Sequence, residues 1–306
     1  MIDILYIAGA GRSGSTLLER ILGQMDGVVN IGELRHVWHR SPTLQRCGCG
    51  EILSECPFWR EVMAQTDFSL TAEGFADLSA TQHEVSRLRY VPGVLKKPLT
   101  DEEFMRNQLI YTGTLRKIYA AIHDLTGCHT IVDASKDIPT LNLLRGMTDL
   151  RLRVLHLVRD SRAVAYSWTR EKKQAHHVGE IGYMDRHSPH RSALEWLYRN
   201  QLTEMASNRV DGYTRVRYEE LIANPLEVIG RVAHLIGLSE PDLGFINGVE
   251  INFSKENHAL VGNPMRFQKG SVQLKMDNVW QHEFRKADKA IVTALTWPML
   301  RRYGYL

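Results

Sequence analysis

Ile4-Leu5-Tyr6-Ile7-Ala8 runs directly into Gly9-Ala10-Gly11-Arg12-Ser13-Gly14-Ser15-Thr16 and then into Leu17-Leu18-Glu19-Arg20-Ile21-Leu22. The first block reads as a buried strand, the second as a glycine-rich turn and the third as a helix. In that order they form an anion cradle. Backbone N–H groups and the positive end of the helix dipole converge where a phosphate or sulfate oxygen can sit. Glycines let the backbone approach closely, and Arg12, Ser13, Ser15 and Thr16 add side-chain donors. A phosphorylated ligand is expected here.

The turn fits three patterns. Gly9-x-Gly11-x-x-Gly14 is the dinucleotide fingerprint, with Glu33 at about the spacing of a ribose-binding acid. Gly9-x-x-x-x-Gly14-Ser15-Thr16 is a nucleoside-triphosphate loop with Ser15 standing where the lysine belongs. The third takes Gly11-Arg12-Ser13-Gly14-Ser15-Thr16 as a unit, with its cation inside the turn.

Further along, Leu152-Arg153-Val154-Leu155-His156-Leu157-Val158 reads as another buried strand. It ends in Arg159-Asp160-Ser161-Arg162, and the helical stretch that follows carries Ser167. An arginine at a strand tip and a serine two helical turns on can hold one phosphate together. Two anion sites on two strand ends suit a ligand with separated 5′- and 3′-phosphates, which a nicotinamide dinucleotide does not require.

The Arg-Ser-Gly-Ser-Thr turn and the Arg159…Ser167 pair resemble the 5′- and 3′-phosphate motifs of sulfotransferases that use 3′-phosphoadenosine 5′-phosphosulfate (PAPS), with Gly11 replacing the usual proline. Three weaker segments follow in the family's order. Asp133-Ala134-Ser135-Lys136-Asp137 resembles a lysine-bearing stretch after a strand. Tyr218-Glu219-Glu220-Leu221 resembles a segment whose tyrosine lies by the nucleotide. His258 to Phe267 resembles a late loop whose arginine closes over the 3′-phosphate. The resemblance runs from about residue 3 to about residue 270. It implies a P-loop-like open parallel sheet with helices on both faces, PAPS as cosubstrate, and no metal. The implied donor-binding residues are Gly11, Arg12, Ser13, Gly14, Ser15, Thr16, Arg159, Ser167, Tyr218, Arg266 and Lys269. A kinase or phosphotransferase using a nucleoside triphosphate, or a Rossmann-type NAD(P) oxidoreductase, is the alternative.

For the chemistry, Arg12 and Lys136 are the expected cations on the phosphosulfate. Glu33, just after a strand at about 28–31, is the expected base, with His36 second because histidine titrates nearest neutrality. Glu33 can equally serve as an acid at the start of a helix, favoured by the dipole alone. Asp133 is expected to orient Lys136.

The chain has 306 residues, 43% apolar and 24% charged, with net charge +3. That is ample for one large core, and the charge is too small to argue for nucleic acid. No apolar run reaches membrane-spanning length. The first strand begins close to Met1, leaving no room for a signal peptide, so a cytoplasmic location is expected.

Strands at about 3–8, 28–31, 129–133, 152–158 and 213–217 alternate with helices, which implies an α/β parallel sheet. The expected organisation is a single domain over 1–306 with a helical acceptor-side insert at about 34–126. Within it Phe104, Tyr111, Leu115, Ile118, Ile122 and Leu125 mark one helix face, and Val91-Pro92-Gly93 and Lys96-Lys97-Pro98 mark a loop. The stretch 170–191 reads as a lid, an acidic-acceptor surface or a solvated loop, and 281–303 as a closing helix.

Cys47, Cys49 and Cys56 cluster, with Cys128 apart. Zinc with His36 or His39 as fourth ligand and a Cys49–Cys56 redox hairpin are both conceivable. Cys-x-Cys is not a usual zinc pair, however, and a structural insert without metal is expected. The acceptor, whether small molecule, glycan, lipid or peptide, is not specified by the sequence, nor is the oligomeric state.

Overall fold

Five strands form the central sheet: β1 (Ile2–Gly9), β2 (Val28–Gly32), β3 (Thr130–Asp133), β4 (Leu150–Val158) and, beyond the short hairpin of β5 (Lys173–Gln174) and β6 (Gly182–Tyr183), β7 (Gly212–Arg217). The computed structural model describes residues 1–86, 102–171, 173–174, 182–183 and 185–306. The sheet order is β2-β3-β1-β4-β7, with every neighbouring pair parallel. Parallel neighbours need crossovers, and helices supply them on both faces. All five expected strands are present.

The order decides between two of the readings. In a dinucleotide fold β2 lies beside β1, whereas here β3 separates them. After β3 the chain crosses to β4 on the far side of β1, so the tips of β1, β3 and β4 adjoin. Ligands on such sheets bind beyond the strand carboxyl ends, where the strand order reverses.

Why β1 reads as continuously apolar is visible in its two faces. Ile4, Tyr6 and Ala8 pack into one core with Ile31, Trp59 and Ile118, while Leu5 and Ile7 pack into another with Leu18, Ile21 and Leu155. Alternation remains, but both faces are covered.

The first core includes the segment between β2 and β3. Among the described residues its helices are Leu34–Val37, Pro57–Ala64, Ala72–Val85 and Glu102–Thr126. Trp38 meets Phe68 and Phe75 edge-on at 5.2 and 5.3 Å, each contact worth about 0.5–1.5 kcal/mol beyond its buried area. This anchors the segment next to Glu33. Phe104, Tyr111, Leu115, Ile118 and Ile122 are buried as expected, but Leu125 is 39% exposed because the last turn of that helix runs past the core. The loop expected around 91–98 lies outside the described residues.

A three-stranded antiparallel sheet, β8 (Ile246–Asn247), β9 (Glu250–Phe253) and β10 (Gly270–Gln273), flanks the second core. The closing helix is not continuous over 281–303. A short turn at Trp280–Glu283 precedes Lys286–Arg302, which packs against Pro189–Ala206 and Ser161–Thr169. Among the described residues no helix is long and apolar enough to cross a membrane.

Candidate active site

The turn after β1 is held in a shape that few residues tolerate. Arg12 has φ 66° and Gly14 has φ 96°. A Cβ on Gly14 would lie 2.5 Å from Cδ2 of Tyr218, so glycine is required there by conformation and by contact. Gly14 is the N-cap of the helix Ser15–Leu22, with no side chain capping it. The first two N–H groups of that helix, on Ser15 and Thr16, have no intrahelical acceptor, and both residues border the cavity described below.

At the tip of β4, Asp160 accepts from the Arg162 N–H at 2.8 Å and starts the helix Ser161–Thr169. This aims Ser167 back at the first turn, and Arg12 Nε donates to Ser167 Oγ at 3.1 Å. Arg159 Nη1 donates to the Arg12 carbonyl at 3.2 Å, and its guanidinium lies 4.5 Å from the centre of the Tyr218 ring. The two phosphate motifs are therefore in direct contact. Burial, and then the neighbouring Arg159 cation, pull the Arg12 pKa down. Arg159 Nε is buried without a partner, an orphan that an anion's oxygen would satisfy. The remaining strong contact of Arg159 is Asp277 Oδ2, 2.9 Å from Nη2, on a side chain 38% exposed.

On the other side of the β1 tip, Lys136 Nζ donates to Glu33 Oε1 at 2.7 Å and to the Ala134 carbonyl at 2.8 Å. Lys136 also has a left-handed backbone, with φ 57°. Burial alone would raise the Glu33 pKa, but Lys136 and His36 outweigh it and hold the carboxyl below its ordinary value. His36 Nε2 stands 3.7 Å from Glu33 Oε2, and burial lowers its pKa to about 4, so its imidazole is neutral near pH 7. Glu19 is fully buried with both oxygens unpartnered, and burial drives its pKa well up.

Most of these groups, though not Glu19, line one cavity of about 720 Å³. Gly11, Arg12, Gly14, Ser15, Thr16, Glu33, His36, Lys136, Arg159, Ser167 and Tyr218 all border it. A family model described as "Sulfotransferase domain" matches residues 3–260, which include both arginine motifs. This chain belongs to the sulfotransferase family.

The sulfotransferase fold is seen in the domain from the Synechococcus PCC 7002 olefin synthase. That structure aligns with a TM-score of 0.52 at 19% identity over 95% of this chain and 93% of that one. The sulfotransferase domain from the curacin biosynthetic pathway aligns with a TM-score of 0.49 at 15% identity, over 96% and 97% of the two chains. A sulfotransferase from Alicyclobacillus acidocaldarius gives 0.39 at 14% identity, over 95% and 94%. No curated protein matches the sequence.

Not every expected residue reaches the cavity of this sulfotransferase. Ser13 is buried behind the turn. Arg266 is 1% exposed and donates to the carbonyls of Ala259 at 2.6 Å and Arg46 at 2.5 Å. Its guanidinium is committed to holding two backbone segments and does not line the cavity; Lys269 is exposed and does not line it either. Asp133 does not orient Lys136. It accepts from the Ser135 N–H and the Tyr119 hydroxyl, at 2.8 and 2.7 Å, and so shapes the turn.

Other lining residues escaped the sequence reading: Trp168, whose ring centre lies 5.5 Å from the Arg12 guanidinium, Asp277, His187, Glu195 and Arg199. Trp168 directly follows Ser167 and was findable as an aromatic at the motif's end. Asp277 carried no signal. His36 and His39 line the cavity and are not the histidine beside the cysteines; that is His258. A second cavity of about 700 Å³, lined by Trp38, Phe75, Ala76 and Ala80 among others, shares His39 and Arg40 with the first.

Proposed function

We propose that this sulfotransferase takes its sulfuryl group from PAPS and passes it to a hydroxyl or amine by in-line displacement. One observation carries the reading: Arg12 and Arg159, 147 residues apart, share one cavity and are joined through Ser167 and the Arg12 carbonyl. The first-turn N–H groups with Ser15 and Thr16 would hold the 5′-phosphate, and Arg159 with Ser167 the 3′-phosphate.

As the acceptor oxygen or nitrogen bonds to sulfur, its proton passes to the Glu33 carboxylate. The bond from sulfur to the 5′-phosphate oxygen breaks, and the electron pair leaves on adenosine 3′,5′-bisphosphate. Lys136 has three N–H donors. Two go to Glu33 and Ala134, leaving one for a sulfuryl oxygen. When that oxygen competes for the ammonium, Glu33 loses part of its ion pair and becomes a stronger base.

His36 is a second reading for the base, favoured by its neutral ring beside Glu33. In this proposal residues 1–306 act as one domain, and the segment at about 34–126 forms the acceptor side through the cavity at Trp38 and Phe75.

Calorimetric titration with adenosine 3′,5′-bisphosphate, ATP and NAD tests the donor. The bisphosphate alone should bind tightly; equal or tighter binding of ATP would overturn the assignment.

A further inference from the structure

Cys47, Cys49, Cys56 and His258 converge on one point, with their sulfur and nitrogen atoms all within 4.8 Å of one another. Cys47 Sγ and Cys56 Sγ stand 3.6 and 3.5 Å from His258 Nδ1, and Cys49 Sγ stands 3.8 Å from Cys56 Sγ. Zinc binds thiolate at about 2.3 Å and imidazole at about 2.0–2.1 Å in a tetrahedron. Those bond lengths put ligand atoms about 3.8 Å apart for two sulfurs and about 3.5 Å for sulfur and nitrogen. The observed separations agree. All four cysteines of the chain are unbridged. We infer that these four residues form a structural Cys3His zinc site.

The surroundings are those of a prepared ligand set. Cys47 and Cys49 lie on a tight turn closed by the Gly50 N–H donating to the Cys47 carbonyl at 3.0 Å, with Gly50 at φ 104°. Cys56 is the N-cap of the helix Pro57–Ala64, so its thiolate would face the positive end of a dipole. His258 is fixed on three sides. Phe58 stacks on its ring at 4.5 Å, Trp59 Nε1 donates to its carbonyl at 2.9 Å, and Glu256 Oε2 stands 3.7 Å from Nε2. A carboxylate on the far ring nitrogen is the usual partner of a metal-bound histidine. Arg266 pins the carbonyls of Arg46 and Ala259, the residues adjoining Cys47 and His258, and places a cation near a centre that would carry one net negative charge. Soft thiolates with one imidazole in a tetrahedral array select zinc.

The Cys-x-Cys spacing hid this site because the fourth ligand lies 202 residues beyond Cys56. The metal would fasten the turn at 47–56 to the loop that crosses the active site. Two residues after His258, Leu260 donates from its N–H to Ile31 and accepts from the Glu33 N–H, both at 2.8 Å. Gly262 then abuts Thr16 and Glu33.

The full chain, purified and kept under reductant, should be stripped with chelator and titrated with Zn²⁺ alone, then with Co²⁺ alone. The expected result is one zinc per chain, a melting temperature that falls on stripping and recovers on reloading, and a cobalt spectrum with thiolate charge-transfer and tetrahedral visible bands. Cys49→Ser and His258→Ala should bind zinc about 100-fold more weakly, at least the loss seen for outer-sphere partners, while Cys128→Ser keeps one zinc. If either ligand variant does not fold, the wild-type cobalt spectrum decides alone. No zinc uptake under reductant, octahedral cobalt, or a Cys49–Cys56 disulfide that persists in the presence of the reductant overturns the inference.

Discussion

The strand-tip cleft and the loop at 258–267 each present a buried arginine, and the two are used in opposite ways. Arg159 spends one N–H on a carbonyl, leaves Nε unpartnered, and meets a half-exposed carboxylate. Arg266 also leaves Nε unpartnered, but it spends Nη1 and Nη2 on two backbone carbonyls rather than on a side chain. A guanidinium near a ligand site is not thereby a ligand. What decides is whether its present acceptors can be displaced by an incoming anion.

Glu33 touches both regions, through Lys136 on one side and Leu260 on the other, so it is the sharpest probe. Glu33→Gln should lower kcat by about 10²–10⁴-fold, the range of general-base catalysis, while bisphosphate affinity stays within about twofold. His36→Asn should then retain most turnover; the reverse pattern would move the base to His36.

Next in size, Arg159→Ala should weaken adenosine 3′,5′-bisphosphate binding about 10- to 100-fold in calorimetry, as loss of charged hydrogen bonds costs about 1.5–3 kcal/mol. Arg266→Met should leave that affinity unchanged in the folded protein but cost about 2–4 kcal/mol in urea unfolding, because two buried carbonyls lose their donor. If Arg266→Met loosens the nucleotide and spares stability, the contrast between the two arginines is wrong.

The pH profile of turnover follows from the same electrostatics. The Glu33 pKa is depressed, so its carboxylate persists until the pH falls through that lowered value, below the ordinary range of about 4.3. The ion pair's stabilisation is likewise present above that range and lost as pH falls. Turnover should therefore be level from about pH 8 down to about pH 5. A limb near pH 6.5 would mean that an unperturbed histidine carries the proton. The smallest effect belongs to Asp277→Asn. Removing a carboxylate that competes for Arg159 should tighten bisphosphate binding about two- to fivefold, within the worth of a partly exposed ion pair.

The same contrast explains what the sequence made legible. The Gly11–Thr16 turn and the Arg159…Ser167 pair are local: each is a strand end, a turn and a helix, so spacing alone places the donors. Hence the five strands and the cleft could be read directly. The late loop could not, because its partners Arg46, Cys47 and Ile31 are remote in sequence and contact order leaves no periodicity to read. Arg266 lies in that loop, and its two carbonyl contacts leave no trace in the spacing of its neighbours. Asp133 is three residues from Lys136 in sequence, yet its oxygens serve the Ser135 N–H and the Tyr119 hydroxyl.

Three residues other than glycine carry a positive φ among the described residues: Arg12, Lys136 and Val261. All three border the 720 Å³ cavity. Left-handed geometry costs an L-residue about 1–2 kcal/mol, and most of all a β-branched one such as valine. A screen for heat-tolerant variants would thus be drawn to glycine at these positions and would loosen the walls that keep the donors aimed. Robustness and turnover are set against each other at three peptide units.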